Sequence, residues 1–533
     1  MIKATALYPE YLEPERLEHT LALARDGGIQ AIRFGEFAWS LLEPAPGDFQ
    51  WAVFDRAFEL TQRMGLQVIL CTPTACPPAW LARARPDILP VDEHGHRIDF
   101  GARQHRCYNS PALREAMAPV ITALAQRYGW RENLLGWQID NELGAEHKYC
   151  YCDACRARFQ HYLAARYGTI EELNRRWMGA FWAQSYTDFS QIPLPRLIDA
   201  TLTMKPHPSL LYEYLRFSSQ SVADFCHAQA ALLRAHSAAP ITTNQDDFYY
   251  GDNVDWDTMF APLDVVGFDI YTQRLYELGF YFDLCWSIKR KPFWLLEYGS
   301  SIPTLPQTLA LAHRKGCALT GLFAFNPFYA GQEHGPAAML DHLDRPQPNY
   351  AVYRDWQPDD TAAVRPPAQA TLYYDFDSAY ALNACTLRHW ETGFEQVFSR
   401  LGYKEHLIHT VYKALFEAGL EVAVVTRLAD ADPDLPLLAP LCLVHTPAKV
   451  DALLAFLVRG GQVLATADLF TKDDANAYPR ALPAFYAALA AREEGFPPMP
   501  GTAYAHGAGC LRVLPADAEG AAWVEAVGQA KQK

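Results

Sequence analysis

Eight short apolar runs, each bounded by turn residues, constrain the fold of this chain more than any other feature. They are Thr5–Tyr8, Ala31–Phe37, Leu66–Thr72, Leu134–Glu142, Ile241–Asp246, Val265–Tyr271, Phe293–Gly299 and Gly321–Pro327. Runs of this length without polar alternation read as parallel strands buried on both faces. Helix-patterned stretches such as Pro14–Asp26, Trp51–Met64 and Ser110–Tyr128 lie between them. Eight strands alternating with helices predict a closed (β/α)8 barrel, with an open doubly wound sheet as the alternative. No glycine-rich phosphate loop follows the first run, which counts against a dinucleotide-binding sheet.

The barrel accounts for only part of the 533 residues. The expected organisation is a catalytic barrel over 1–355 and a linker over 356–370, where the sequence WQPDDTAAVRPPAQA loses its apolar period. A second α/β domain over 371–490 follows, flavodoxin- or glutamine-amidotransferase-like, with strand-like segments TLYYDFDSAYAL, LEVAVVT, CLVHT and GGQVLATA. Residues 491–533 read as a reduced, β-rich C-terminal segment. The connection from Leu143 to Pro240 is long for a barrel, and such insertions belong to the active-site face.

A formal net charge of −15 excludes the basic stripe of a nucleic-acid binder and argues against an anionic membrane surface as partner. No run reaches the length of a membrane span. The N-terminus MIKATALYPEYLEPERLEHT lacks the apolar core of a signal peptide, so the expected location is the cytoplasm. Twelve cysteines in such a chain are not a disulfide framework. Aromatic residues make up 13% of the chain, enough to supply flat surfaces for sugar rings as well as a core.

The fourth run ends in Asp140-Asn141-Glu142 and the seventh in Glu297-Tyr298-Gly299. In a barrel both ends open on one face, which brings two glutamates 155 positions apart to one cavity. Glycoside hydrolysis needs such a pair, one carboxyl protonated to serve the leaving oxygen and the other ionised at the anomeric carbon. Asn141 stands where it can hydrogen-bond a sugar hydroxyl. An isolated Asn-Glu pair reads sooner as a helix cap than as chemistry, and only its placement at the fourth strand end with Glu297 at the seventh reverses that.

Closer detail resembles glycoside hydrolase family 42, the β-galactosidases of the retaining barrel clan. The matching segments are Tyr8-Pro9-Glu10, Arg33 to Ser40, Glu43-Pro44, Gly47-Asp48-Phe49, Asn109-Ser110-Pro111, Gly136 to Gly144, Leu173-Asn174 with Trp177 and Trp182, and Tyr374 to Ser378. The resemblance spans residue 1 to about 470 and implies a retaining enzyme with Glu142 as acid/base and Glu297 as nucleophile. It further implies Arg103, Asn141, Trp182 and Tyr271 as substrate contacts, and a homotrimer assembled through the second domain. The family's tryptophan soon after the nucleophile strand is missing here. Its Glu and His after the eighth strand are compressed into Glu333-His334, which are carried over as substrate contacts. The expected substrates are small β-galactosides or galacto-oligosaccharides. The alternatives are α-L-arabinopyranosides or β-D-fucosides handled by the same chemistry, and a non-catalytic glycan-binding barrel.

Cys150, Cys152 and Cys155 follow Glu142 with the spacing C-x-C-x-x-C. The resemblance adds Cys107 as a fourth ligand. Four thiolates close a tetrahedral site with no open position, so the expectation is one structural zinc per chain and no organic cofactor.

Overall fold

The computed structural model describes residues 1–146, 149–196, 206–246, 254–335, 337–359, 365–384, 402–490 and 496–531. Cys385 and the middle of the expected linker, 360–364, lie outside the described residues. The chain divides into two compact units. The first comprises Met1–Cys155, Ser218–Leu278 and Ile288–Arg365, the second Arg156–Phe217, Gly279–Ser287 and Pro366–Lys533.

The first unit is the barrel. Its strands are β1 (Ile2–Ala6), β2 (Ala31–Phe34), β3 (Gln67–Cys71), β4 (Leu134–Gln138), β5 (Ile241–Thr242), β6 (Asn244–Asp246), β7 (Gly267–Ile270), β8 (Phe293–Gly299) and β9 (Cys317–Phe323). They pair in the order β5-β4-β3-β2-β1-β9-β8-β7-β6, all parallel. β5 and β6 are one run, Ile241–Asp246, interrupted at Thr243. Its first half pairs with β4 and its second with β7, so the fifth strand is the seam that closes the barrel.

Side chains fill the floor of the barrel: Ala4, Ala31, Ile69, Trp294, Leu296 and Leu319 form one buried cluster. Bulky Trp294 fits because β4 offers Gly136, where an added Cβ would lie 2.9 Å from the indole. Trp294 and Leu296 belong to this floor, so strict alternation would turn Glu297 away from the interior. The pairing with β7 instead slips by one residue between Phe268 and Asp269, giving β8 an extra residue at Leu296. A bulge re-aims the residues that follow it. Leu296 thus packs the floor while Glu297 stands at the mouth.

The second unit is built on a six-stranded sheet of β10 (Ala370–Tyr373), β11 (Val422–Val425), β12 (Leu437–Ala439), β13 (Gln462–Thr466), β14 (Ala503–His506) and β15 (Gly509–Leu514). The order is β11-β10-β12-β13-β15-β14, parallel except for the β14–β15 hairpin. This is a flavodoxin-like doubly wound sheet whose order reverses beside β10. The C-terminal residues extend this sheet at its edge and end in the helix Gly520–Ala530. Among the described residues no helix is long and apolar enough to cross a membrane.

Candidate active site

Glu297 lies near the carboxyl end of strand β8 and is 5% exposed. Two groups hold its carboxylate, one on each oxygen: Arg33 of β2 donates through Nη2 to Oε1, and the Tyr271 hydroxyl donates to Oε2. Arg33 is itself fully buried and shared, with Nη2 3.0 Å from Glu36 Oε1 and 3.2 Å from the Tyr8 hydroxyl, and Nη1 donating to Gln138 Oε1 at 3.0 Å. Tyr8 in turn donates to Glu36 at 2.7 Å. A guanidinium and a phenol thus engage both oxygens of the carboxylate.

Glu142 reaches the same cavity from a strained loop. Asp140 and Glu142 both have left-handed backbones, φ 57° and 43°. Non-glycine residues keep such conformations only where their surroundings hold them. Buried Arg106 and Thr74 both bond the Asp140 carboxylate, and the Glu142 amide donates to Asn244 Oδ1 at 3.0 Å. The Glu142 carboxyl meets Asn141 Nδ2 at 3.0 Å and Arg103 Nη2 at 3.0 Å, both on Oε2. Oε1 therefore remains for a proton. Burial, then the charge of Glu297, pushes Glu142 up to about 8 from an ordinary 4.5, against the pull of Arg103.

Each of Glu142, Glu297 and Asp269 presents a carboxylate oxygen, and the three oxygens lie within 4.8 Å of one another. Three buried acids at such range cannot all be ionised with Arg33 and Arg103 as the cations bonded to them. Asp269, on β7 directly across from Glu297, is fully buried, and its protonated form is favoured by that burial and by the charges of Glu297 and Glu142.

The structure thus brings together Glu142, Glu297, Arg103, Asn141 and Tyr271. Arg103 also bonds Glu146 at 2.5 Å and stands 3.6 Å from Glu333, which joins the rim. His334 is exposed and its Nδ1 faces the Gly331 carbonyl at 2.7 Å. Trp182 belongs to the second unit, where it is 65% exposed beside Phe181. Sequence reasoning missed Asp269 and Asn244. Asp269 had a legible signal, an acid near the end of the sixth apolar run. Arg33 and Glu36 appeared only as parts of a matching segment, without roles.

The four cysteines converge elsewhere in the same unit. Their sulfurs all lie within 4.8 Å of one another, with Cys107 3.6 Å from Cys152 and 3.5 Å from Cys155. Tetrahedral zinc with ~2.3 Å bonds to sulfur separates its ligands by ~3.8 Å, which this spacing fits. The Val91 amide points at Cys150 Sγ at 3.3 Å and Asn109 Nδ2 at Cys155 Sγ at 3.3 Å, the outer hydrogen bonds that thiolates need.

Comparison with known proteins finds a match to a family model described as β-galactosidase, the glycoside hydrolase 42 model, over residues 6–322. A β-galactosidase of Thermus thermophilus is 32% identical over 521 residues, covering 89% of this chain and 76% of that protein. The β-galactosidase BgaH of Haloferax lucentense is 30% identical, covering 93% and 78%. Among solved structures, the polyextremophilic β-galactosidase of Halorubrum lacusprofundi superposes with a TM-score of 0.84 at 25% identity, covering 99% of this chain and 90% of that one.

Proposed function

This chain belongs to glycoside hydrolase family 42 and is a glycoside hydrolase, and from that premise we propose that it removes terminal β-D-galactosyl residues with retention of configuration. The observation that carries the reading is the pair of facing glutamates in opposed surroundings. Glu297, held by Arg33 and Tyr271, is the nucleophile. Glu142, buried and pushed up to about 8, is the acid/base. Oxygens within 4.8 Å suit direct attack on the sugar, since retaining enzymes hold their carboxyls ~5 Å apart and inverting ones leave room for a water.

In the first half-reaction Glu142 gives its Oε1 proton to the glycosidic oxygen as a Glu297 oxygen bonds the anomeric carbon. The leaving alcohol departs with that proton and its bonding pair. In the second, ionised Glu142 takes a proton from water, whose oxygen displaces Glu297. Asn141, Arg103 and Glu333 offer polar groups to the galactosyl hydroxyls. Trp182 and His334 are substrate contacts on the strength of the family resemblance.

The cysteine cluster takes one structural zinc, held by Cys107, Cys150, Cys152 and Cys155. It supplies a closed cross-link that pins the loop after Glu142 and takes no part in the reaction. A cytoplasmic setting suits four neighbouring thiols that an oxidising compartment would cross-link. The second domain serves assembly into a homotrimer, which sedimentation would read.

A panel of chromogenic glycosides tests the function. β-D-galactosides are expected to be cleaved fastest, ahead of α-L-arabinopyranosides and β-D-fucosides, with azide rescuing Glu142 and Glu297 variants to products of opposite anomeric configuration. A wild-type chain that binds galactose and cleaves none of the panel overturns the reading.

A further inference from the structure

Asp269 has no part in the two-glutamate scheme, yet it anchors a directed chain of hydrogen bonds that ends on the acid/base. Its Oδ2 accepts from Asn244 Nδ2 at 2.6 Å. The same amide nitrogen donates to Asn141 Oδ1 at 2.9 Å, and Asn141 Nδ2 donates to Glu142 Oε2 at 3.0 Å. Asn244 Oδ1 meanwhile accepts from Gln138 Nε2 at 2.9 Å and from the Glu142 amide at 3.0 Å. Every donor and acceptor of Asn244 is committed, so its amide has a single orientation. That orientation requires an acceptor at Asp269 Oδ2.

The other oxygen is the informative one. Asp269 Oδ1 is buried and has no hydrogen-bond partner among the described residues. An ionised carboxylate with a buried oxygen that no protein donor meets is costly. The groups facing Asp269 are Glu297 of β8, Glu142 beyond β4, Arg33 of β2, Asn244 of β6 and the Tyr271 phenol just past its own strand. The only cation among them, Arg33, is bonded to Glu297, Gln138 and Tyr8. A proton on Oδ1 would remove the charge and supply a donor toward the neighbouring carboxylates, while Oδ2 continues to accept from Asn244.

We infer that Asp269 is a positioning residue that stays protonated at neutral pH, fixing Asn244, and through it Asn141 and the Glu142 loop, without adding a second negative charge beside Glu297. The inference rests on the roles given to Glu142 and Glu297. Asn at this position can mimic the neutral acid, with its carbonyl toward Asn244 and its amide on the Oδ1 side. Ala removes the anchor.

The test joins infrared spectroscopy to kinetics. At pH 7, subtracting the spectrum of Asp269→Asn from that of wild type is expected to show the loss of a protonated carboxylic acid band. Loss from the carboxylate bands instead overturns the inference. Asp269→Ala is expected to lower kcat about 100-fold with KM changed less than about threefold. Asp269→Asn is expected to recover to within about tenfold of wild type and to keep the alkaline limb of the pH profile within about 0.3 unit. An alkaline limb moved down by about one unit in Asp269→Asn, or an Asp269→Ala enzyme as fast as wild type, overturns it. Should the Ala variant not fold, Asp269→Asn decides alone. A wild type that cleaves no glycoside defeats the roles of the glutamate pair, while the infrared comparison still decides the state of Asp269.

Discussion

Both units bury acidic residues at or just beyond the carboxyl ends of parallel strands, and two of the clusters so formed are balanced in opposite ways. In the second unit Asp375, just past β10, is matched by Lys449, whose Nζ lies 2.7 Å from it and 2.9 Å from Asp377, with Arg216 3.3 Å from Asp377. Ser378 and Cys442 also point to the Asp375 carboxylate. Every charge there has its counter-charge, and Lys449 with Arg216 holds the Asp377 carboxyl well below the usual range in spite of burial. In the barrel, three carboxylates crowd within 4.8 Å of one another and the protons have to be shared. Buried acids alone therefore do not mark a catalytic site. Nor does burial that holds a proton near neutrality, since Asp468 just past β13 is pushed up to about 7 by its burial; the barrel differs in gathering several acids that outnumber the cations bonded to them at one cavity.

The sharpest break between the two regions is expected from Glu297→Gln. It removes the nucleophile but keeps the shape and the Tyr271 contact, so turnover of an aryl galactoside should fall at least ~10⁴-fold with the fold intact by circular dichroism. Retention of more than about a hundredth of the wild-type rate would break the assignment of roles within the barrel cluster.

Lys449→Met should do the reverse. It leaves Asp375 buried beside Asp377 with one cation fewer, at a cost of about 3 kcal/mol. Calorimetry should show the melting temperature lower by about 6 °C, whereas kcat per folded active site should be unchanged. A variant as stable as wild type would mean that the second cluster, too, is tolerant of unbalanced charge, and the contrast would fail.

How far each cluster could be read from sequence follows the same division. Glu142 and Glu297 were legible because each ends an apolar run, and the direction of a parallel barrel puts all such ends on one face. The thiol cluster was legible in part from three cysteines within six residues, Cys150–Cys155. Asp269 and Asn244 were not assigned. Whether a strand residue faces the cavity depends on register, and the slip at Leu296 and the break at Thr243 follow from contacts across the barrel that local patterning does not encode. The left-handed backbones at Asp140 and Glu142 are equally invisible locally, since no glycine announces them. The second sheet was recognised as α/β from its strand-like runs. The inclusion of Arg156–Phe217 in that unit was hidden by distance in sequence: Arg166 and Arg176 meet Asp473 and Asp474 about 300 positions later.

Arg103 sharpens the comparison at smaller scale. It is the cation that restrains Glu142 from rising further. Activity that needs protonated Glu142 falls as pH rises through about 8. Arg103→Gln should weaken substrate binding and move this alkaline limb upward by about half a unit or more. A limb that stays in place, or moves down, would show that some other group sets it.

The smallest effect separates storage of a proton from its use. Glu142 binds its proton more tightly folded, near 8, than its ordinary 4.5. This is the reverse of a salt-bridged carboxylate. Below 4.5 the group is protonated in both states and costs nothing through ionisation. As pH rises from 4.5 to 8 the unfolded chain gains by ionising while the folded one does not, so stability falls across that window and levels off above it. Glu142→Gln, permanently neutral, escapes this loss. The difference in melting temperature between variant and wild type should be near zero at pH 4.5 and grow to about 2 °C or more in favour of the variant at pH 8. Asp377→Asn should show the opposite sign in a lower window: its deficit is full and flat at pH 4.5 and above and shrinks as pH falls below the ordinary 3.8, because that carboxylate is stabilised by Lys449 and Arg216 in its ionised form. The two carboxylates would then respond to pH with opposite sign, Glu142 between 4.5 and 8 and Asp377 below about 4, because one has enough cations around it and the other does not.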